Sequence, residues 1–233
     1  MSRKHRTVGA ILLCAGAGER LGREVEKSLV SLAGRPLFAW SLDALERCTA
    51  VEAIVVVGPA GKLEAMRCAA ASAPAKVAAW VPGGRERRDS VARGLEALPE
   101  RHEIVVVHDS ARPLVSAELI GRVIADALAS GAAIAAIPLE DTLKRGTLER
   151  VDDTVPRQGL WRAQTPQAFR RDWLVEAHAR AQGAATDDAM LVESLGHPVR
   201  ITPGDPLNFK ITSPRDLELA AAWLAAGVRP GSQ

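Results

Sequence analysis

Short apolar runs alternate with amphipathic segments along most of this chain, and that alternation constrains the fold more than any other feature. Val8–Cys14, Val51–Val57, Lys76–Val81, Glu103–His108 and Ala132–Pro138 are each of strand length and rich in Val, Ile, Leu or Ala. Strands that are apolar on both faces must be covered on both, which is the condition of a parallel sheet between two helix layers. The intervening segments supply those layers: Pro36–Cys48, Ala60–Ala73, Asp89–Leu98 and Ser116–Ser130. In the first, Leu37, Trp40, Leu42, Leu45 and Cys48 recur at helical spacing behind a proline suited to a first turn. The expected fold is α/β, a doubly wound, mostly parallel sheet, with residues 1–233 forming a single domain. In such sheets ligands lie at the carboxyl ends of the strands.

The alternation fails between Leu139 and Arg162. Residues there alternate apolar and polar around Gly146, so 139–162 reads as a projecting β-arm. Val151, Val155, Leu160 and Trp161 would be exposed on an isolated loop, so the arm is expected to dock on a second copy of the chain; a flexible surface loop is the plain alternative. Beyond it come helices at Arg170–Gln182 and Asp187–Leu195, a strand at Val199–Thr202 and a last helix from Ser213-Pro214.

Several predicted strand ends carry polar residues. The first run breaks into Ala15-Gly16-Ala17-Gly18-Glu19-Arg20-Leu21-Gly22, with Lys27 shortly after. Glycine lets a backbone turn sharply and approach an anion without a Cβ in the way, and Arg20 and Lys27 add cations. The pattern points to a nucleoside triphosphate. It is not the dinucleotide fingerprint, because Leu21 stands where a third glycine is needed and no acid closes the second strand at Val57-Gly58-Pro59. Nor is it the G-x-x-x-x-G-K-[ST] loop, since Glu26 precedes Lys27-Ser28. Taken alone, it reads equally as a glycine-rich turn with solvated charges.

Gly83-Gly84-Arg85-Glu86-Arg87-Arg88-Asp89-Ser90 follows the third strand and opens a helix, with Asp89 or Ser90 suited to its N-cap. Its backbone can read a base edge while Ser90 supplies a hydroxyl, or it is simply a capped helix start. Asp109 closes the strand around Ile104–Val107, a place for a metal or ribose contact, and Arg112 follows within reach of a phosphate; a structural Asp–Arg pair is the alternative. His108 reads as strand-end packing. Thr142 and Arg157 lie on the arm and by themselves are surface residues. Lys210, in Asn208-Phe209-Lys210-Ile211-Thr212, is placed on a short apolar strand, either facing solvent or lining a site.

Composition excludes several classes of function. A formal charge of +2, with no basic tract beyond Ser2-Arg3-Lys4-His5-Arg6, gives no reason to expect a nucleic-acid partner. Three cysteines without C-x-x-C spacing suit a reducing compartment and support neither a disulfide framework nor a zinc site. No apolar run reaches membrane-spanning length, and residues 1–7 lack the apolar core of a signal peptide, so a cytoplasmic location without a membrane partner is expected.

Together these segments resemble the 2-C-methyl-D-erythritol 4-phosphate cytidylyltransferases of isoprenoid precursor synthesis. The resemblance runs from about Val8 to about Trp223. It rests on the glycine loop with Arg20 and Lys27, on Gly83-Gly84 with Arg87 and Asp89-Ser90-Val91, and on Val107-His108-Asp109-Ser110-Ala111-Arg112-Pro113. It also rests on the arm with Asp141-Thr142, on Gly159-Leu160-Trp161, Gln164-Thr165-Pro166-Gln167 and Thr186-Asp187-Asp188, and on Asn208-Phe209-Lys210-Ile211-Thr212. It implies a Rossmann-like nucleotidyltransferase that moves CMP from CTP to methylerythritol phosphate and releases pyrophosphate. It implies Arg20, Lys27 and Lys210 as catalytic cations, with Lys27 and Lys210 nearest the α-phosphate. Cys14, Ala15, Gly16, Gly18, Gly83, Gly84 and Ser90 would surround the nucleotide. Asp109 would sit near the ribose and a Mg2+ or another divalent cation held mainly by the CTP phosphates. Arg112 and Thr142, with Arg157 reaching from the second subunit of a homodimer, would hold the acceptor phosphate. Cys14, Glu26 and Arg85 depart from the alanine, proline and acidic residue common in the family. Two alternatives stay open on the motifs: a cytidylyltransferase for another polyol phosphate such as ribitol 5-phosphate, and a non-catalytic nucleotide-binding module, against which the pairing of Lys27 with Lys210 argues.

Overall fold

A computed structural model describes residues 6–15, 27–70, 74–181 and 185–228. In chain order its strands are β1 (Val8–Leu13), β2 (Ser31–Leu32), β3 (Arg35–Pro36), β4 (Ala53–Gly58), β5 (Val77–Pro82), β6 (Ile104–Asp109), β7 (Ala132–Pro138), β8 (Leu143–Gly146), β9 (Val151–Val155), β10 (Trp161–Arg170) and β11 (Arg200–Pro203). Its helices are α1 (Leu37–Arg47), α2 (Leu63–Ala69), α3 (Arg87–Ala97), α4 (Ala117–Ser130), α5 (Arg171–Arg180), α6 (Asp188–Ser194) and α7 (Pro214–Ala225). Seven strands form one sheet in the order β11-β7-β10-β6-β1-β4-β5. All its pairings are parallel except those of β10, which runs antiparallel between β6 and β7. The mostly parallel sheet expected from the apolar runs is present.

Period-two alternation explains why those runs are apolar throughout. Val8, Ala10 and Leu12 of β1, Ile54 and Val56 of β4, and Ile104 and Val106 of β6 pack on one face, beneath α1 and α4. Ile11 and Leu13, Val55 and Val57, and Val105 and Val107 pack on the other, beneath α3, α5 and α6. Each fully buried Leu or Ile stabilises the sandwich by roughly 1.5–3 kcal/mol relative to exposure. The ends of α4 show the local code: Ser116 Oγ accepts the Leu119 N–H at 3.0 Å, and Gly131 terminates the helix at φ 95°. A smaller cluster of Leu32, Leu37, Leu114, Ile211 and Ala220 fastens α7 and the β2–β3 hairpin to the body.

The structure departs from sequence expectation in several places. Strand β10 covers residues expected to fall between the arm and a helix; its polar Gln164-Thr165-Pro166-Gln167 hides a strand that lies in the middle of the sheet, with a register shift between Ala163 and Gln167. Trp161 and Arg162 already pair with Pro138 and Ile137 in the main sheet, so the projecting β8–β9 hairpin is shorter than 139–162. Lys210 is on no strand: Asn208–Thr212 is irregular backbone, tied down where the Ile211 N–H donates to the Ala111 carbonyl at 2.8 Å. Helix α3 starts earlier than expected and is capped by Glu86, with Asp89 at its third position completing a reciprocal capping box. Among the described residues, no helix is long and apolar enough to cross a membrane.

Candidate active site

The chain leaves β1 at Cys14-Ala15, β5 at Gly83-Gly84 and β6 at Ser110-Ala111, all at the carboxyl edge of the sheet. Between these segments lies a cavity of about 300 Å3, lined among others by Cys14, Ala15, Ser90, Asp109 and Lys210. A second cavity, of about 220 Å3, reaches toward Arg112, Thr165 and Thr186. The two share Arg87, Asp109 and Lys210 as a common wall. A larger concavity of about 820 Å3 lies at the amino edge, around Leu95, His102 and Val175; it borders none of the motif residues. For a doubly wound sheet the carboxyl edge is the place for chemistry.

Close packing shapes the turn after β5. The Gly83 N–H donates to the Gly58 carbonyl at 2.8 Å, and a Cβ on Gly83 would stand 2.3 Å from Ala15 Cβ. Only glycine lets the β1 and β5 turns approach this closely. Arg93 Nη1 donates to the Gly83 carbonyl at 2.5 Å. The Gly84 N–H donates to Ser90 Oγ at 3.1 Å, and that hydroxyl donates to the Glu86 carbonyl at 3.2 Å. Ser90 therefore braces the turn through both of these hydrogen bonds while bordering the first cavity.

Asp109 is the electrostatic centre. Lys210 Nζ lies 2.7 Å from its Oδ2 and Arg87 Nε 3.4 Å from its Oδ1. Burial alone would push this carboxyl up, but Arg87 and Lys210 outweigh burial and hold it well below the usual carboxylate range. For Arg87 burial likewise opposes the charge, and Asp188 and Asp109 more than offset it. Behind Asp109, Thr165 Oγ1 accepts the Asp109 N–H at 3.0 Å and meets His108 Nδ1 at 3.1 Å. Nδ1 is then the acceptor of the hydroxyl proton, and Nε2–H donates to the Arg112 carbonyl at 3.3 Å. Burial first of all pushes His108 down to about 4, so this imidazole is a neutral brace. It is more than packing: it orders the 108–112 turn. Arg112 is held by the carbonyls of Asn208, at 2.8 Å, and Ala163, at 3.3 Å, and burial lowers its pKa, partly offset by Asp109. Cys14 is buried and its thiol is pushed up to about 12, so it lines the pocket as an inert side chain.

The fold thus brings together Cys14, Ala15, Gly83, Gly84, Ser90, Asp109, Arg112 and Lys210. It does not bring Thr142 and Arg157 to them: both are exposed near the projecting hairpin and line neither cavity. Gly16, Gly18, Arg20 and Glu26 lie outside the described residues, as does the side chain of Lys27, which opens a 3-10 turn at Lys27–Leu29. Among the described residues, no group of three His, Cys, Asp or Glu could hold a metal ion. Sequence reasoning gave no role to Arg87, Thr165 and Asp188. Polar Gln164, Thr165 and Gln167 inside an otherwise apolar stretch were the available signal, since buried polar side chains need partners.

Comparison with known proteins agrees with this geometry. The family model described as IspD: 2-C-methyl-D-erythritol 4-phosphate cytidylyltransferase matches residues 8–226. The chain is 46% identical to the 2-C-methyl-D-erythritol 4-phosphate cytidylyltransferase of Pelotomaculum thermopropionicum, over 94% of each chain. It is 45% identical to the bifunctional enzyme IspD/IspF of Dinoroseobacter shibae, over 93% of this chain but 54% of that longer protein. Among solved structures, the 2-C-methyl-D-erythritol 4-phosphate cytidylyltransferase of Thermus thermophilus superposes with a TM-score of 0.78 at 37% identity, covering 94% of this chain and 99% of that one.

Proposed function

The chain belongs to the 2-C-methyl-D-erythritol 4-phosphate cytidylyltransferase family, and on that premise we propose that it transfers CMP from CTP to 2-C-methyl-D-erythritol 4-phosphate. The products are 4-diphosphocytidyl-2-C-methyl-D-erythritol and pyrophosphate, on the way to isoprenoid precursors. The observation that carries this reading is the common wall of Arg87, Asp109 and Lys210 between two cavities, one bordered by the β1 and β5 turns and the other by Arg112 and Thr165. Two phosphorylated ligands can meet there.

Charge governs the mechanism. An acceptor phosphate oxygen attacks the α-phosphorus of CTP, a new P–O bond forms, and the bond to the departing pyrophosphate breaks. The nucleophile is already an anion, so no general base is needed, in keeping with a His108 committed to hydrogen bonds. The obstacle is repulsion: two unit charges about 4 Å apart repel by about 4 kcal/mol at an effective dielectric near 20, and both reactants carry more than one charge. Prearranged cations and in-line positioning answer it. Lys210 is suited to this, since its ammonium is half-exposed on the cavity wall and can exchange Asp109 for a phosphate oxygen. In our reading Arg20 and Lys27 hold the triphosphate from the loop after β1. The Gly84 carbonyl accepts from the cytosine amino group, and Arg112 takes the acceptor phosphate.

A Mg2+ or another divalent cation suits a cavity whose central carboxylate is kept ionised. Asp109 would hold it beside the CTP phosphates, where it would supply charge neutralisation. We also assign a homodimer. Leu148, Val151, Leu160 and Trp161 are exposed on and beside the hairpin, and a C2 partner would cover them while bringing Thr142 and Arg157 to its acceptor cavity. The three unpaired cysteines support a cytoplasmic setting. The test is pyrophosphate release from CTP and Mg2+ with methylerythritol phosphate or ribitol 5-phosphate. Release with the first alone, and with CTP strongly preferred over UTP, is expected. Release with ribitol 5-phosphate alone would reassign the acceptor, and release with neither would remove the catalytic reading.

A further inference from the structure

Arg87 is held more tightly from behind than from the site. Its Nη1 lies 2.7 Å from Asp188 Oδ2, against 3.4 Å between its Nε and Asp109 Oδ1. Asp188 is buried, and its second oxygen lies 2.9 Å from Nε2 of His178 on α5, which is buried as well. A carboxylate only accepts, so Nε2 carries the proton. Asp188 is fixed in turn by its neighbours. Asp187 caps α6 by accepting the Met190 N–H at 3.0 Å, and Gln167 of β10 donates to Asp187 at 2.9 Å and accepts the Ala189 N–H at 3.3 Å. A chain of contacts, His178 to Asp188 to Arg87 to Asp109, therefore runs from α5 to the wall between the two cavities. His178 itself lines neither cavity.

We propose that Asp188 and His178 are positioning residues for the transfer step: they anchor Arg87 so that Asp109 keeps one cation partner, and its orientation, when Lys210 turns to phosphate. The proposal rests on the cytidylyl-transfer reading. Its physical basis is the asymmetry of the two cations on Asp109. The Lys210 side chain is 41% exposed and free to swing, while that of Arg87 is 25% exposed and pinned by a carboxylate that is 1% exposed. Without the His178 N–H, the second oxygen of Asp188 becomes a buried acceptor with no donor, and relief comes only by moving or protonating that carboxylate. Either loosens Arg87. Because Arg87 borders both cavities, its displacement disturbs the alignment of the two phosphates more than the binding of either ligand.

The test compares His178→Gln with His178→Asn. Gln places an amide N–H near the position of Nε2, and Asn, one methylene shorter, does not reach Asp188. His178→Asn is expected to lower kcat by about tenfold or more, with KM for CTP and for the acceptor each moving by less than about threefold, while His178→Gln keeps most of the wild-type kcat. In an Arg87→Ala background, His178→Asn adds little further loss, because the route is already cut. Wild-type protein that releases no pyrophosphate overturns the function reading and this proposal with it. With an active wild type, the proposal alone falls if Gln and Asn behave alike, or if the Asn loss persists in full without Arg87. It falls too if the loss only follows the folded fraction in a circular-dichroism melt, or if His178→Asn does not fold, since a positioning role predicts a folded but slow enzyme.

Discussion

Replacing Asp109 by Asn keeps the shape of the side chain and removes its charge. The carboxylate is 12% exposed, 2.7 Å from Lys210 Nζ and 3.4 Å from Arg87 Nε. Taking one partner from a buried ion pair costs about 3–5 kcal/mol when the other charge is stranded. Here neither cation is stranded: Lys210 is half-exposed and returns to water, and Arg87 keeps Asp188 at 2.7 Å. The expected loss is therefore smaller, about 1–3 kcal/mol, or roughly 2–12 °C in Tm for a chain of this length. Its pH dependence has a definite sign. The folded-state pKa of Asp109 is depressed, so its contribution is fully present above the unfolded value near 3.9 and is lost as the pH falls toward the folded value. Thermal melts of wild type and Asp109→Asn should thus differ by a constant amount from about pH 8 to about pH 5, and converge below about pH 4. Turnover at neutral pH should fall by at least about a hundredfold. Equal Tm values at neutral pH, or a gap that widens on acidification, would refute the electrostatic account of this site.

Gly83→Val would place a side chain where a Cβ already comes within 2.3 Å of Ala15 Cβ. Because Ala15 Cβ cannot yield without its backbone, we expect the overpacking to cost about 1–3 kcal/mol of stability and KM for CTP to rise by about tenfold or more in the folded protein; an unchanged KM would show that this turn does not border the nucleotide. Lys27→Ala should depress kcat far more than it weakens CTP binding, because a fixed cation answers charge that develops in the transition state; a titration showing lost binding at unchanged kcat would contradict that role. Inactive Arg157→Ala chains mixed with inactive Lys27→Ala chains should regain about a quarter of wild-type activity once subunits exchange, since half the dimers would then hold one intact site. No recovery despite demonstrated exchange would place Arg157 in its own subunit's chemistry or outside it.

Much of the fold was legible because the relevant forces act over short spans of chain. Continuous apolar runs announced doubly covered strands, helical spacing announced α1, and the segment Ser116–Ser130 anticipated α4. The phosphate-loop reading rests on sequence and resemblance alone, since Gly16, Gly18 and Arg20 lie outside the described residues, as does the side chain of Lys27. Strand β10 was not legible, because its Gln164, Thr165 and Gln167 look like loop residues until their partners, Asn208, His108 and Asp187, are in place. The same holds for Asp109. From sequence it was an acid at a strand end with an arginine close by in the chain, but the ion partners it acquires are Lys210, 101 positions away, and Arg87, from the far side of β1 and β4. Periodicity, caps and glycine turns are decided by neighbours within a turn or two, so sequence alone determined the layers and the edge at which the motif residues gather. Which charges meet at that edge depends on strand order and on how α6 docks against β10, and only the tertiary structure decided that, because a buried charge takes its pKa and orientation from whatever the fold packs beside it.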